Sequence, residues 1–315
     1  MDDHVISETQ HFRMKIVFMG TPDFAVASLD ALVQANFDVV AVVTAPDKPA
    51  GRGQKLSESA VKKYAVEKGI AVLQPEKLKN PEFIEQLKSY QADLQVVVAF
   101  RMLPEVVWNM PPKGTINLHG SLLPQYRGAA PINHAIINGE KESGVTTFFL
   151  THEIDTGNII LSESTPIADN ETAGDLHDKL MHIGANLLVK TLKAIEAGEV
   201  SEQPQPQSGN LKHAPKIFKE DCKIDWNNPA QMIYNLIRGL SPYPTAFTFL
   251  NDKTLKIFKA EIEHKEPGIV AGGFLTDGKT FLKFAAKDGF IKLLDIQYEG
   301  KKRMPIEDFL RGIRL

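Results

Sequence analysis

Asn117, His119 and Asp155 are the side chains whose types and spacing suggest chemistry in this sequence. The first two are followed by the turn-rich run Gly120-Ser121-Leu122-Leu123-Pro124-Gln125-Tyr126-Arg127-Gly128, and Asp155 sits in Ile154-Asp155-Thr156-Gly157. An uncharged amide beside an imidazole that a carboxylate can orient suits acyl transfer. Amide and imidazole can hold a developing oxyanion, and the imidazole can relay protons. No serine or cysteine in a nucleophile motif accompanies them, so the substrate is expected to bring the nucleophile.

These residues need a rigid sheet to hold them. Apolar runs at 15–19, 39–43 and 94–99, with shorter ones near Val72, at 115–118 and at 145–150, read as strands. Helical patterns at 24–35, 59–68, 81–89 and 131–138 alternate with them. Continuous Val-rich strands are the mark of parallel strands buried on both faces. The expected fold is therefore α/β: a doubly wound, mostly parallel sheet whose ligands sit beyond the carboxyl ends of the strands. Asn117 and His119 alternate at such an end and face the same side.

Residues 175–197 read as a long helix, and the polar, proline-containing run 202–209 as part of a linker. A helix at 230–240 and short strands at 246–250, 254–261, 280–284 and 290–296 suggest a small β-barrel. The expected organisation is an extension at 1–13, a catalytic domain at 14–200, a linker at 201–215 and a barrel domain at 216–315. Residues 45–56, with Arg52 and Lys55, form a long basic loop of the kind that is usually functional.

Bulk properties narrow the class. The 315 residues exceed one average domain, and 43% apolar content fills two cores. The single Cys222 cannot form an internal disulfide, which fits a cytoplasmic protein. No apolar run approaches the roughly 18 residues of a membrane span, and residues 1–13 lack a signal-peptide pattern. Net charge is −3, but from Lys212 to Leu315 there are 18 Lys/Arg against 13 Asp/Glu, a balance of +5, leaving −8 on the rest. Such asymmetry is compatible with a polyanion-facing module, and equally with solvated surface lysines.

Several features also have plainer readings. A histidine at a strand end is more often a hydrogen-bonded structural residue, and Asp-Thr-Gly is more often a turn. His152 and Glu153 could join His119 at a metal, but further ligand spacing is lacking, so no metal is expected. Gly20-Thr21-Pro22-Asp23 has one glycine where dinucleotide folds use three, which argues against a nicotinamide cofactor. Trp226, Tyr234 and Phe247 read as core.

Four stretches decide between these readings. They are Gly20-Thr21-Pro22-Asp23-Phe24-Ala25, Pro46-Asp47-Lys48-Pro49-Ala50-Gly51-Arg52-Gly53, Asn117 to Pro131, and Ile154 to Gly157, with a weaker one at Ile224-Asp225-Trp226. Together they resemble the methionyl-tRNA formyltransferase family, from about Met14 to the end. The resemblance implies a Rossmann-like formyltransferase domain and an oligonucleotide-binding-like barrel. It also implies 10-formyltetrahydrofolate as donor and methionyl initiator tRNA as acceptor, in a monomeric enzyme of translation initiation. By position, Asn117, His119 and Asp155 fall on the family's catalytic residues. Ser121, Leu122, Leu123 and Pro124 fall on its folate-binding segment, and Arg52 and Lys55 on its tRNA-contacting loop. One departure stands out: an aromatic-Gly-x-x-Leu-Pro stretch expected in the pterin pocket reads Phe100-Arg101-Met102-Leu103-Pro104. Competing functions are a formyltransferase acting on a small amine, a formyl-folate hydrolase, and a non-catalytic binding protein.

Overall fold

The computed structural model describes residues 13–50, 55–206 and 209–313. The chain opens with β1 (Lys15–Gly20), α1 (Asp23–Gln34) and β2 (Asp38–Val43), then a ribbon of β3 (Lys48–Ala50) and β4 (Lys55–Ser57). It continues through α2 (Ala60–Glu67), β5 (Ala71–Leu73), α3 (Pro81–Ser89), β6 (Leu94–Val98), α4 (Glu105–Trp108) and β7 (Thr115–His119). Next come β8 (Arg127–Gly128), α5 (Pro131–Ile137), β9 (Glu142–Phe149), β10 (Ile159–Pro166) and the long α6 (Ala173–Ala197). Polar caps set several helix starts: Ser59 accepts from Lys62 N, Asn80 from Glu82 N, and Thr172 forms a capping box with Asp175.

The main sheet runs β10-β9-β7-β6-β1-β2-β5. β7, β6, β1, β2 and β5 pair in parallel, whereas β9 is antiparallel to both β7 and β10. The expected mostly parallel, doubly wound sheet is thus present. Along β1, Ile16 and Phe18 enter one core with α1 and α6, while Val17 and Met19 enter another with α3. Burial on both faces explains why the strand reads as an unbroken apolar run. β10 escaped the sequence reading because its middle, Ser162-Glu163-Ser164, is that of an edge strand with one partner.

Residues 45–56, expected as a loop, carry the β3–β4 ribbon, paired Lys48 to Ser57 and Pro49 to Leu56. The expected linker 201–215 is likewise no free tether where it is described. Gln203 forms an antiparallel bridge with Ile159, and β11 (His213–Ala214) pairs in parallel with β8. The backbone groups of this polar run are used by the catalytic domain, which a composition-based reading cannot detect.

The second domain holds α7 (Ala230–Leu240), β12 (Ala246–Leu250), β13 (Lys253–Glu263), β14 (Phe274–Thr276), β15 (Leu282–Ala285), β16 (Phe290–Tyr298), β17 (Met304–Pro305) and α8 (Ile306–Arg311). Its antiparallel sheet runs β12-β13-β16-β15-β14, with β17 added to β16. The expected barrel takes the form of a curled half-barrel: β12 and β14 stand at opposite ends of the strand order. Register breaks near Ile257 and Lys259 of β13 supply local bending. Trp226 stacks on Phe284 at 4.8 Å and donates to Thr248 Oγ1, so it is core, as its position in the sequence suggested. Helix α7 docks this domain on the first: Asn133 donates to Gly239 O at 2.8 Å, and the buried Arg238 donates to Glu171 O.

Candidate active site

β7 sits where the sheet changes sense, parallel to β6 on one side and antiparallel to β9 on the other. Its alternation sends Asn117 and His119 to one face at the carboxyl end, and both line a cavity of about 680 Å³. Beyond His119 the chain turns back, with Tyr126 at φ 61°, and its carbonyl returns to the histidine. His119 Nε2 donates to Tyr126 O at 2.9 Å. A carbonyl can only accept, so this contact places a hydrogen on Nε2 and turns Nδ1 the other way. Nδ1 faces Asp155 Oδ2 at 3.8 Å, with the two side chains 7% and 11% exposed.

Asp155 reaches that position from the turn after β9, with φ at 55°. Two glycines make the approach possible. A Cβ on Gly157 would lie 1.6 Å from Phe149 O, which no side chain tolerates. Gly128, at φ +124°, lies against Ala214, and a Cβ there would meet Ala214 O at 2.5 Å. This close packing puts the Gly128 N–H 2.9 Å from Asp155 Oδ2. The carboxylate is thus aimed by a backbone donor. The separation of 3.8 Å between Nδ1 and Oδ2 exceeds a hydrogen bond. Both atoms remain able to contact a third atom at about 3 Å, as proton transfer requires.

The cavity is also lined by the apolar and aromatic side chains of Phe100, Leu103, Trp108 and Ile154. Apolar and aromatic side chains beside the polar groups of Asn117, His119 and Asp155 suit a heteroaromatic ligand. Arg101, the departure noted in the sequence, also lines the cavity. Its guanidinium folds back onto Pro75 O and onto Glu76 O at 2.8 Å, which ties the segment after β6 to the body. Burial holds this group below the ordinary arginine value. Burial, assisted by its hydrogen bond to Glu140, pushes the Tyr126 phenol well above its ordinary value.

Asn117, His119 and Asp155 therefore come together. Ser121, Leu122, Leu123 and Pro124 follow His119 in the next turn and are not among the residues lining this cavity. Ser121 is buried, donating to Gln125 O at 2.7 Å, and Leu123 N donates to Thr146 Oγ1. Leu122 packs over Gly144 of β9. The hydrogen bonds of Ser121 and Leu123 brace the turn that carries Tyr126. Arg52 lies outside the described residues, and Lys55 opens β4. The sequence reading missed the Tyr126 carbonyl and the Gly128 N–H, because backbone atoms leave no residue-type signal. Among the described residues, no cluster of three His, Cys, Asp or Glu side chains is arranged to hold a metal ion. His152 instead faces Glu105 at 3.5 Å and the edge of Trp108.

The family model for formyl transferase matches residues 14–192, and that for the formyl transferase C-terminal domain matches residues 216–314. A methionyl-tRNA formyltransferase of Bacteroides fragilis is 54% identical over 310 residues, covering 96% of each chain. One from Porphyromonas gingivalis is 49% identical over 312 residues with the same coverage. Among solved structures, the N-formyltransferase of Helicobacter canadensis with folinic acid and dTDP-3-aminofucose matches with a TM-score of 0.65 at 24% identity, covering 89% of this chain and 98% of that one. HypX of Aquifex aeolicus with tetrahydrofolic acid matches at 0.66 and 18% identity, covering 96% of this chain and 48% of that one. At these identities the structural matches speak for the fold.

Proposed function

The chain belongs to the formyl transferase family, and from that premise we infer that it transfers a formyl group from 10-formyltetrahydrofolate to the α-amine of methionyl initiator tRNA. The choice of acceptor is supported by relatives of that name at 49–56% identity over 96% of the chain. The observation that carries the chemistry is the convergence of Asn117, His119 and Asp155 on one cavity. The apolar and aromatic side chains of Phe100, Leu103 and Trp108 on the cavity wall support the pterin of the donor as its occupant.

The reaction needs no covalent enzyme intermediate. The amine nitrogen bonds to the formyl carbon while the carbonyl electrons move to oxygen. The Asn117 amide donates to that oxyanion, a preorganised contact that strengthens as charge develops. His119 Nδ1 and Asp155 Oδ2 together receive the amine proton. Nε2 stays bonded to Tyr126 O, so the ring is held while Nδ1 gains and loses its proton. The oxyanion then collapses, the bond from carbon to N10 of the folate breaks, and the proton passes to N10. Atoms and charge balance, with formylmethionyl-tRNA and tetrahydrofolate as products. The substrate's own amine thereby supplies the nucleophile that the sequence lacks.

The same reading assigns catalysis to residues 14–200 and tRNA binding to 216–315, joined through 201–215 in a cytoplasmic monomer. Arg52, and Lys55 at the start of β4, would meet the acceptor stem. The base of the ribbon is anchored by Asp47, which accepts from Lys62 and, at 2.8 Å, from Gln74. Among the described residues no helix is long and apolar enough to cross a membrane.

The test is an acceptor panel. Labelled 10-formyltetrahydrofolate is incubated with methionyl initiator tRNA, charged elongator methionine tRNA, an amino-sugar nucleotide and glycinamide ribonucleotide. Label on initiator tRNA supports the assignment, and label confined to a small amine overturns it.

A further inference from the structure

We propose that Gln205 is a positioning residue that sets the Asp155 carboxylate against His119, so that the segment between the domains is part of the active-site scaffold. The inference rests on the reading of Asn117, His119 and Asp155 as the reacting groups. Gln205 lies in the run Gln203-Pro204-Gln205-Pro206, whose composition suggests nothing beyond a linker. In the structure it is 7% exposed.

Its amide has two donor hydrogens and two acceptor lone pairs, and all are engaged. Nε2 donates to Asp155 O at 2.9 Å and to Gly157 O at 2.8 Å. Oε1 accepts from Arg127 Nη2 at 2.6 Å and from Arg127 Nε at 3.1 Å. The partners fix the amide's orientation, because a flipped amide would set oxygen against two carbonyls and NH2 against a guanidinium.

These contacts join the backbone of the Asp155 turn to Arg127. Through Nε2, Gln205 holds the backbone of Asp155, whose left-handed φ of 55° needs external support. Through Oε1 it holds Arg127, next to Gly128, whose N–H aims Asp155 Oδ2. The segment is itself clamped on either side of Gln205. Upstream, Gln203 N and Ile159 O bond at 2.9 Å; downstream, Tyr126 N donates to Lys212 O at 2.7 Å and Ala129 N to Ala214 O at 2.7 Å. One side chain therefore links the carboxylate turn, the donor that orients it and the chain leading to the second domain. Glutamate would oppose two carbonyls with its own oxygens, and asparagine is one methylene too short to span the gap.

The test is a double-mutant cycle on the full chain with both substrates saturating. Gln205→Ala is expected to lower kcat roughly 10- to 100-fold, the scale of a small misplacement of a reacting group, with KM for folate and for tRNA within about twofold of normal. In an Asp155→Ala background the same substitution should change kcat less than about twofold, since the group it positions is gone. Normal kcat in Gln205→Ala, or an equal fold-loss with and without Asp155, overturns the inference. If Gln205→Ala does not fold, Gln205→Met, close in volume but unable to make these hydrogen bonds, goes through the same cycle with the same outcomes. Should Asp155→Ala alone retain near-normal kcat, it is the catalytic reading that fails; should Asp155→Ala be impaired while Gln205→Ala is not, only the present inference fails.

Discussion

The backbone N–H of Gly128 donates at 2.9 Å to Oδ2 of Asp155, the same oxygen that stands 3.8 Å from Nδ1 of His119. The carboxylate is thus held by the main chain and offered to the imidazole. Asp155→Asn retains an acceptor for Gly128 and nearly the same shape, but loses the charge. Asp155→Ala loses both. Both variants are expected to lose about 100-fold or more in kcat, and only Asp155→Ala to lose stability as well. Urea unfolding beside steady-state kinetics separates the two effects.

Gly157 gives a purely steric prediction. Its absent side chain makes room for the Phe149 carbonyl, 1.6 Å from where a Cβ would stand. Gly157→Ala must push the Asp155 turn away from β9. The expected cost is roughly 1–3 kcal/mol or more, the range for forced overpacking, with kcat falling because Asp155 moves too. Denaturant midpoints and kcat, measured together, check it.

A third prediction concerns acid. Glu140 accepts from the Tyr126 hydroxyl and from Lys212 Nζ, joining the active-site turn to the segment between the domains. Burial opposes its charge, but the Lys212 and Tyr126 hydrogen bonds prevail and hold its carboxyl below the ordinary 4.5. A depressed folded-state value contributes stability that is complete above the unfolded value and is lost as pH falls through the folded one. The stability gap between the wild type and Glu140→Gln should therefore be widest near about pH 7 and narrow as pH drops below about 4.5. A gap that stayed constant into acid would remove Glu140 from this role.

Arg101 supplies the fourth. Because its guanidinium ties the cavity wall to the carbonyls of Pro75 and Glu76, Arg101→Ala should loosen the wall around the donor. KM for 10-formyltetrahydrofolate is expected to rise about tenfold while KM for tRNA stays unchanged, as for loss of binding to one substrate. A rise in the tRNA KM instead would place Arg101 on the acceptor side.

The sequence made the parallel strands legible because burial on both faces writes itself as runs such as Val39 to Val43. It made Asn117 and His119 legible because their alternation survives in the folded β7. Polar edges were harder to read: β10 hides behind Ser162, Glu163 and Ser164. The hydrogen bonds that Ser121 and Leu123 make within and beside the turn after His119 were not legible either, because their partners are a backbone carbonyl and a threonine on another strand. The pairing of β8 with β11 left no trace at all, since it is made by backbone groups of a two-residue strand.

The most direct measurement is single-turnover transfer by His119→Ala with saturating methionyl initiator tRNA and 10-formyltetrahydrofolate. The account predicts that the rate falls at least about 100-fold while tRNA affinity is kept. A rate close to that of the unaltered protein would contradict it.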